Sequence, residues 1–196
     1  MGKKIILYHG TSEKTAEKIM KEGFKPDQKY NWKVKSKKGF VYLSEVYAPF
    51  YALNATKSDK LALIKVEVDS DDLYPEDDFI MLAKGKPVYT QEELEKVDFE
   101  KEKPLWENSL HYLGNVAVKP DRIKILGMKA FDAKYLLFKF DPVISPINFK
   151  FMGNYYKELN DWIFKGNDIK KFKLFMQDEM ERAGWITSEG KLKKVE

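Results

Sequence analysis

The sequence predicts an α+β fold: a sheet of mostly short antiparallel strands, then a helical pair at the C-terminus. Three observations carry this. Residues 61–68 alternate, with Ile64, Val66 and Val68 toward one side and Lys65 and Glu67 toward the other, which is a strand with one wet face. Several other short runs rich in β-formers lie between Gly, Pro and Asp breaks. Beyond Pro142 and Pro146 the period becomes helical: Tyr155, Leu159, Trp162 and Ile163 make one stripe, and Ile169, Phe172, Met176, Met180 and Ala183 another. The change divides the chain into residues 1–141 and a helical extension, 142–196, whose apolar stripes are expected to pack on the sheet.

In chain order, Ile5, Ile6, Leu7 and Tyr8 form a buried strand ended by His9 and Gly10. Thr11 and Ser12 are N-cap candidates for a helix through Ala16, Ile19 and Met20, stopped by Gly23 and Pro26. Residues 25–38 are Lys-rich and polar, with Tyr30 and Trp32 embedded, and read as a loop. Phe40 to Leu43 is a second strand. Ser44 and Glu45 open a helix carrying Tyr47, Phe50, Tyr51 and Ala52, in which Pro49 is tolerable only in the first turn. Residues 69–78 are acidic and read as a solvated loop. Thr90 and Glu93 form a capping box for a short helix to Val97. Residues 108–118 and 123–131 read as strands separated by Lys119, Pro120 and Asp121. A tight connection at Asp132, Ala133 and Lys134 leads into a strand over residues 135–140. Asp168 caps the last helix and Gly184 stops it.

Composition removes several chemistries. The 196 residues contain no Cys, so disulfides, thiol catalysis and thiolate metal sites are excluded. Two His give little for a His-rich metal centre, and no metal is expected. Of 35 basic residues only Arg122 and Arg182 are arginine, which leaves no material for a multi-arginine phosphate clamp. The formal net charge of +4 permits contact with nucleic acid without indicating it. No apolar run approaches the ~20 residues that span a membrane, and no signal peptide is visible, so the expected location is the cytoplasm.

The chemistry-bearing residues are Tyr8-His9-Gly10-Thr11-Ser12, and Gly39-Phe40-Val41-Tyr42-Leu43-Ser44 with Tyr51 nine residues beyond Tyr42. A histidine beside a glycine offers a side-chain hydrogen bond and an approachable backbone, and a strand tyrosine offers a stacking face. Together they suit a planar heterocycle on a sugar. The first motif, with Ala16, Ile19 and Gly23-Phe24 after it, resembles the opening of the ADP-ribosyltransferase superfamily. The second is similar to that of its diphtheria-toxin-like, His-Tyr-Glu branch. The resemblance covers roughly residues 4–127 and implies a split, mixed β-sheet with NAD as co-substrate in a cleft. It also implies roles. His9 would hydrogen-bond the adenosine-side ribose or the carboxamide region, and Gly10 the nicotinamide amide through its backbone. Tyr42 would stack on nicotinamide with Tyr51 flanking it, and Ser44 would shape the pocket floor. Thr11 completes the implied cofactor set.

In that family an acid usually starts a later strand, and Glu107 is the expected catalytic partner of Tyr42 and His9. Strand alternation would put Glu107, Ser109 and His111 on one face. Asp77 and Asp78 are the rivals, because in the rifamycin-modifying branch an Asp after the third strand does this work. The implied reaction transfers ADP-ribose from NAD to an acceptor (protein, nucleic acid or small molecule) and releases nicotinamide. Two alternatives stand beside it. One is a non-catalytic nucleotide- or nucleic-acid-binding module on the same fold. The other is an RNA 2′-phosphotransferase-like enzyme, which the arginine count opposes because lysine does not reproduce a bidentate fork.

Overall fold

The computed structural model describes residues 2–25, 36–136, 146–184 and 187–188. Tyr30, Trp32, residues 137–140 of the strand expected over 135–140 and the 141/142 boundary lie outside the described residues, as does the side chain of Met176. The first strand, β1, spans Lys4–Ser12 and is followed by α1, Glu13–Glu22. Next come β2 (Val41–Ser44), α2 (Ala48–Ala55) and β3 (Lys60–Asp69). A single 3-10 turn leads to β4 (Leu73–Pro75), then to α3 (Asp77–Ala83), α4 (Gln91–Glu95), α5 (Phe99–Glu102) and α6 (Trp106–Leu113). The chain continues through β5 (Asn115–Val118), β6 (Lys124–Asp132), α7 (Pro146–Phe164) and α8 (Ile169–Arg182).

The fold is α+β. Six strands form a sheet in the order β4-β5-β2-β1-β3-β6, and every pairing is antiparallel. The mixed sheet expected above is therefore corrected among the described residues. The strands are unevenly joined. β1 pairs with β3 from Lys4↔Asp69 to Ser12↔Leu61, yet meets β2 only at Tyr8↔Ser44. A narrow seam thus separates β4-β5-β2 from β1-β3-β6.

Three expectations around the motifs change. The first strand does not end at His9 and Gly10: β3 supplies a ladder for the whole of β1, so His9, Gly10 and Thr11 all sit within the strand. Ser12 alone is the cap, accepting the Thr15 N–H at 3.3 Å. α2 begins at Ala48 rather than Ser44, with Pro49 in its first turn, where a missing N–H costs nothing. The capping box of Thr90 and Glu93 is present on α4.

The largest correction concerns residues 108–118. Their first half is helix: Trp106 and Leu110, four apart, pack on the core beneath the sheet, and Gly114 ends α6 with φ 69°. Only Asn115 onward is strand. The acidic segment 69–78 is likewise not a solvated loop. It folds into the 3-10 turn, β4 and the start of α3, with Glu76 and Asp77 buried. The connection at residues 133–135 is a 3-10 turn.

Two main cores flank the sheet. Leu7, Ile19, Leu43, Ile64, Val66 and Val116 fill one with α1 and α6. Tyr8, Leu61, Leu63, Tyr155, Tyr156, Leu159, Phe172 and Met180 fill the other, so the C-terminal helices do cover the sheet. Lys157 pairs with Glu45, and Asn160 donates to the carbonyls of Glu45 and Val46, fastening α7 to the segment before α2. Among the described residues no helix is long and apolar enough to cross a membrane.

Candidate functional site

Period-2 alternation splits β2 between two environments. Val41 and Leu43 enter the core with α1, while Tyr42 packs toward Tyr74, Ile80 and Phe99 on the opposite face. The register sets the neighbours. Ser44 pairs with Asn115 and Val116 with Pro75, so Glu76, one residue past β4, comes alongside Asn115. α2 then carries Tyr51 onto the same place, where Asn115 Nδ2 donates to the Tyr51 hydroxyl at 2.5 Å and lies 3.4 Å from Glu76 Oε2.

Around this point lie Tyr42, Tyr51, Glu76, Asp77, Asp78 and Asn115. The Tyr42 hydroxyl donates to Asp77 and accepts the Lys37 N–H at 3.0 Å. The Lys37 ammonium is occupied at the end of α4, bonding the carbonyls of Glu95 (3.0 Å) and Val97 (2.8 Å). Ser109 is fully buried and anchors the cluster from below. Its Oγ accepts the Glu76 N–H at 2.9 Å and donates to the Asn115 carbonyl at 2.8 Å. Tyr89 donates to Asp78 at 2.6 Å.

The electrostatics are those of carboxyls short of cations. Burial, reinforced by the charges of Asp78 and Asp77, pushes the Glu76 carboxyl well above the ordinary carboxylate range, against the Asn115 amide, which favours its ionised form. Burial also lifts Asp77 to about 7, although the hydrogen bonds from Tyr42 and Lys37 pull the other way. Among the described residues no Lys or Arg forms an ion pair with Glu76, Asp77 or Asp78, and no group of His, Asp and Glu is placed to hold a metal ion. Two adjacent buried carboxyls with raised proton affinity are what a general acid or base requires.

The remaining motif residues are placed differently. Alternation puts the His9 side chain on the face opposite Tyr42, edge-on to Phe24 with ring centroids 5.2 Å apart. A groove lined by Gly23, Phe24, Pro120 and Ile125 opens there. His9 reaches the cluster only through backbone: Nδ1 donates to the Tyr42 carbonyl at 3.1 Å, supplying a partner where the β1–β2 ladder has ended. Burial lowers its pKa, so the neutral ring keeps its proton on Nδ1. A Cβ on Gly10 would lie 1.7 Å from the Ala48 carbonyl oxygen, so this glycine admits the backbone of α2. Ser44 Oγ is saturated, accepting the N–H groups of Val46 and Tyr47 and donating to the Gly114 carbonyl. Thr11 lies in the ladder opposite Ala62.

Glu107 is not at the head of a strand. It is exposed in the first turn of α6, and so is His111 one turn on, whereas Ser109 between them is buried. The strand expected to start with an acid starts with Asn115. Sequence reasoning missed Asn115, Ser109 and the part played by Glu76. The available signal was Gly114, a helix stop that places the strand start one residue later.

Fold and cluster together define an α+β protein with a tyrosine-lined, buried carboxyl site beside a seam in its sheet. No protein-family model, curated protein or solved structure matches the chain.

Proposed function

We propose that the protein is an NAD-dependent ADP-ribosyltransferase that moves ADP-ribose from NAD to an acceptor and releases nicotinamide. The observation that carries the reading is the convergence of Tyr42 and Tyr51 on the buried carboxyls of Glu76 and Asp77 at the seam. The reaction passes through an oxocarbenium-like transition state, which needs a held leaving group and nearby negative charge more than a strong nucleophile. Tyr42 supplies a flat face for nicotinamide. Glu76 and Asp77 supply charge for the ribosyl cation and a base for the acceptor, in place of Glu107.

Two observations favour a second reading, a non-catalytic nucleotide-binding module. An amide, Asn115, stands where the resembled family has its acid, and the Tyr42 hydroxyl is already engaged. The RNA 2′-phosphotransferase reading finds no support. Arg122 pairs with Asp72 and Asp121, and Arg182 with Glu179, all in exposed ion pairs apart from the cluster.

Incubation with NAD decides between the first two. The transferase reading expects nicotinamide release and an ADP-ribose mass gain on one of a protein, nucleic-acid or small-molecule acceptor set. Release no greater than that of Tyr42→Ala, with NAD still bound, leaves the binding module.

A further inference from the structure

Glu76 is where β4 ends and α3 begins, and both of its backbone groups leave the sheet there. Its carbonyl accepts the Ile80 N–H at 3.1 Å, as the N-cap residue of α3. Its N–H goes to Ser109 Oγ at 2.9 Å. The register of β4 on β5 runs Leu73↔Val118, Tyr74↔Ala117, Pro75↔Val116 and stops. Proline has no N–H to exchange with Val116, so an antiparallel ladder would place its next bonded pair at Glu76 and Asn115. Ser109 Oγ stands in that place, accepting from Glu76 while it donates to the Asn115 carbonyl at 2.8 Å.

A helix side chain is thus inserted at the end of a strand ladder. Ser109 is fully buried, sits in the middle of α6 and reaches past the left-handed Gly114 to Asn115. A serine hydroxyl within a helix often returns to a carbonyl of its own preceding turn. This one spends both of its bonds on the β4–β5 junction. Two bonds in series span more than the single bond they replace, so the hydroxyl holds the strand ends apart. Alternation puts the Glu76 and Asn115 side chains on the face that carries Tyr74, Ala117 and Tyr42. There Asn115 Nδ2 donates to the Tyr51 hydroxyl and stands 3.4 Å from Glu76 Oε2. The strand ends that carry these groups take their spacing from Ser109.

We propose that Ser109 is a positioning residue for ADP-ribosyl transfer: its hydroxyl wedges open the end of the β4–β5 ladder and so fixes the Glu76 carboxyl beside Asn115 and Tyr51. The kinetic consequence rests on the ADP-ribosyltransferase reading, while the wedge itself stands on hydrogen-bond geometry and strand register. Without the hydroxyl, the N–H of Glu76 and the carbonyl of Asn115 lose their partner, and both residues are buried. The nearest replacement for each is the other. That closure adds one rung to the ladder and carries the Glu76 carboxyl away from its present place.

NMR on the isotope-labelled full chain reads the wedge without NAD. A scalar coupling across a hydrogen bond, from the Glu76 amide nitrogen to the Asn115 carbonyl carbon, should be absent in the unaltered protein and present in Ser109→Ala. Coupling in the unaltered protein, or none in the folded variant, overturns the wedge. If Ser109→Ala does not fold, the unaltered protein decides: a slowly exchanging Ser109 hydroxyl proton close to the Glu76 amide proton is expected, and its absence overturns the wedge. In nicotinamide release, Ser109→Ala should lower kcat roughly tenfold with KM for NAD within about twofold. Ser109→Thr, which keeps the hydroxyl, should recover most of the loss. An unchanged kcat, or equal losses in the two variants, overturns the positioning role. If the unaltered protein binds NAD but releases no nicotinamide, the transferase reading fails and the positioning role with it, while the coupling still rules on the wedge.

Discussion

The Tyr42 hydroxyl is bonded to Asp77, thirty-five residues away, on a helix that the sequence presents as the tail of an acidic run. The bond joins a strand residue named by motif to a carboxyl whose proton affinity burial raises. Removing it with Tyr42→Phe leaves the ring in place. Asp77 should then bind its proton more tightly than its present value of about 7, and stability should fall by about 1 kcal/mol. Carboxyl NMR and urea unfolding read the two effects.

Stability should depend on pH through the same acids. Glu76 and Asp77 both have folded pKa values raised above their unfolded ones. Their contribution is full below about pH 4 and is lost as pH rises, for Asp77 through about 7. His9, depressed by burial, works oppositely and loses its contribution as pH falls through its unfolded value near 6.5. The readout is therefore the difference between wild type and Asp77→Asn, in which the His9 effect cancels. Relative to wild type, the variant should gain stability steadily from about pH 4 to about pH 7 and level off above that in urea titrations.

Gly10→Ala should be among the most damaging single changes. Its Cβ would stand 1.7 Å from the Ala48 carbonyl, and backbone rather than a flexible side chain must yield. A loss of about 3 kcal/mol or more is expected in thermal or urea unfolding, from displacement of α2 and Tyr51. Normal stability would show that α2 rests elsewhere.

The carboxylates can be ranked directly. Glu76→Gln and Asp77→Asn should each lower nicotinamide release about 10²-fold, the scale of a lost acid–base group. Glu107→Gln, at an exposed helical position, should leave it within about twofold. A loss confined to Glu107→Gln would return that residue to the role the sequence suggested.

Much of the scaffold was legible because its signals are local. Alternation in β3, the Thr90–Glu93 capping box and the stripes of α7 and α8 need only neighbours in sequence to be read. The site was half legible. Tyr42, Tyr51 and Asp77 lie in segments that stood out, but their meeting depends on β4 and β5 lying side by side, a non-local fact. Glu107 was misplaced because Asn108–Ser109–Leu110–His111 fits alternation as well as a helix turn, and Ser109, polar yet buried, gave no hint of its side. The acidic run concealed the burial of Glu76, since three consecutive acids ordinarily face water.

The Tyr8↔Ser44 junction has a mechanical consequence. A pull between β1 and β2 would load one ladder pair, the His9–Tyr42 bond and the seat of α2 on Gly10, whereas a pull between β1 and β3 would load a ladder running from Lys4 to Ser12. Among the described strands the backbone ladder is thinnest along that line, which leaves Tyr42 and its carboxyls on one three-stranded blade and Gly10 on the other, held together there by side-chain packing rather than by the sheet.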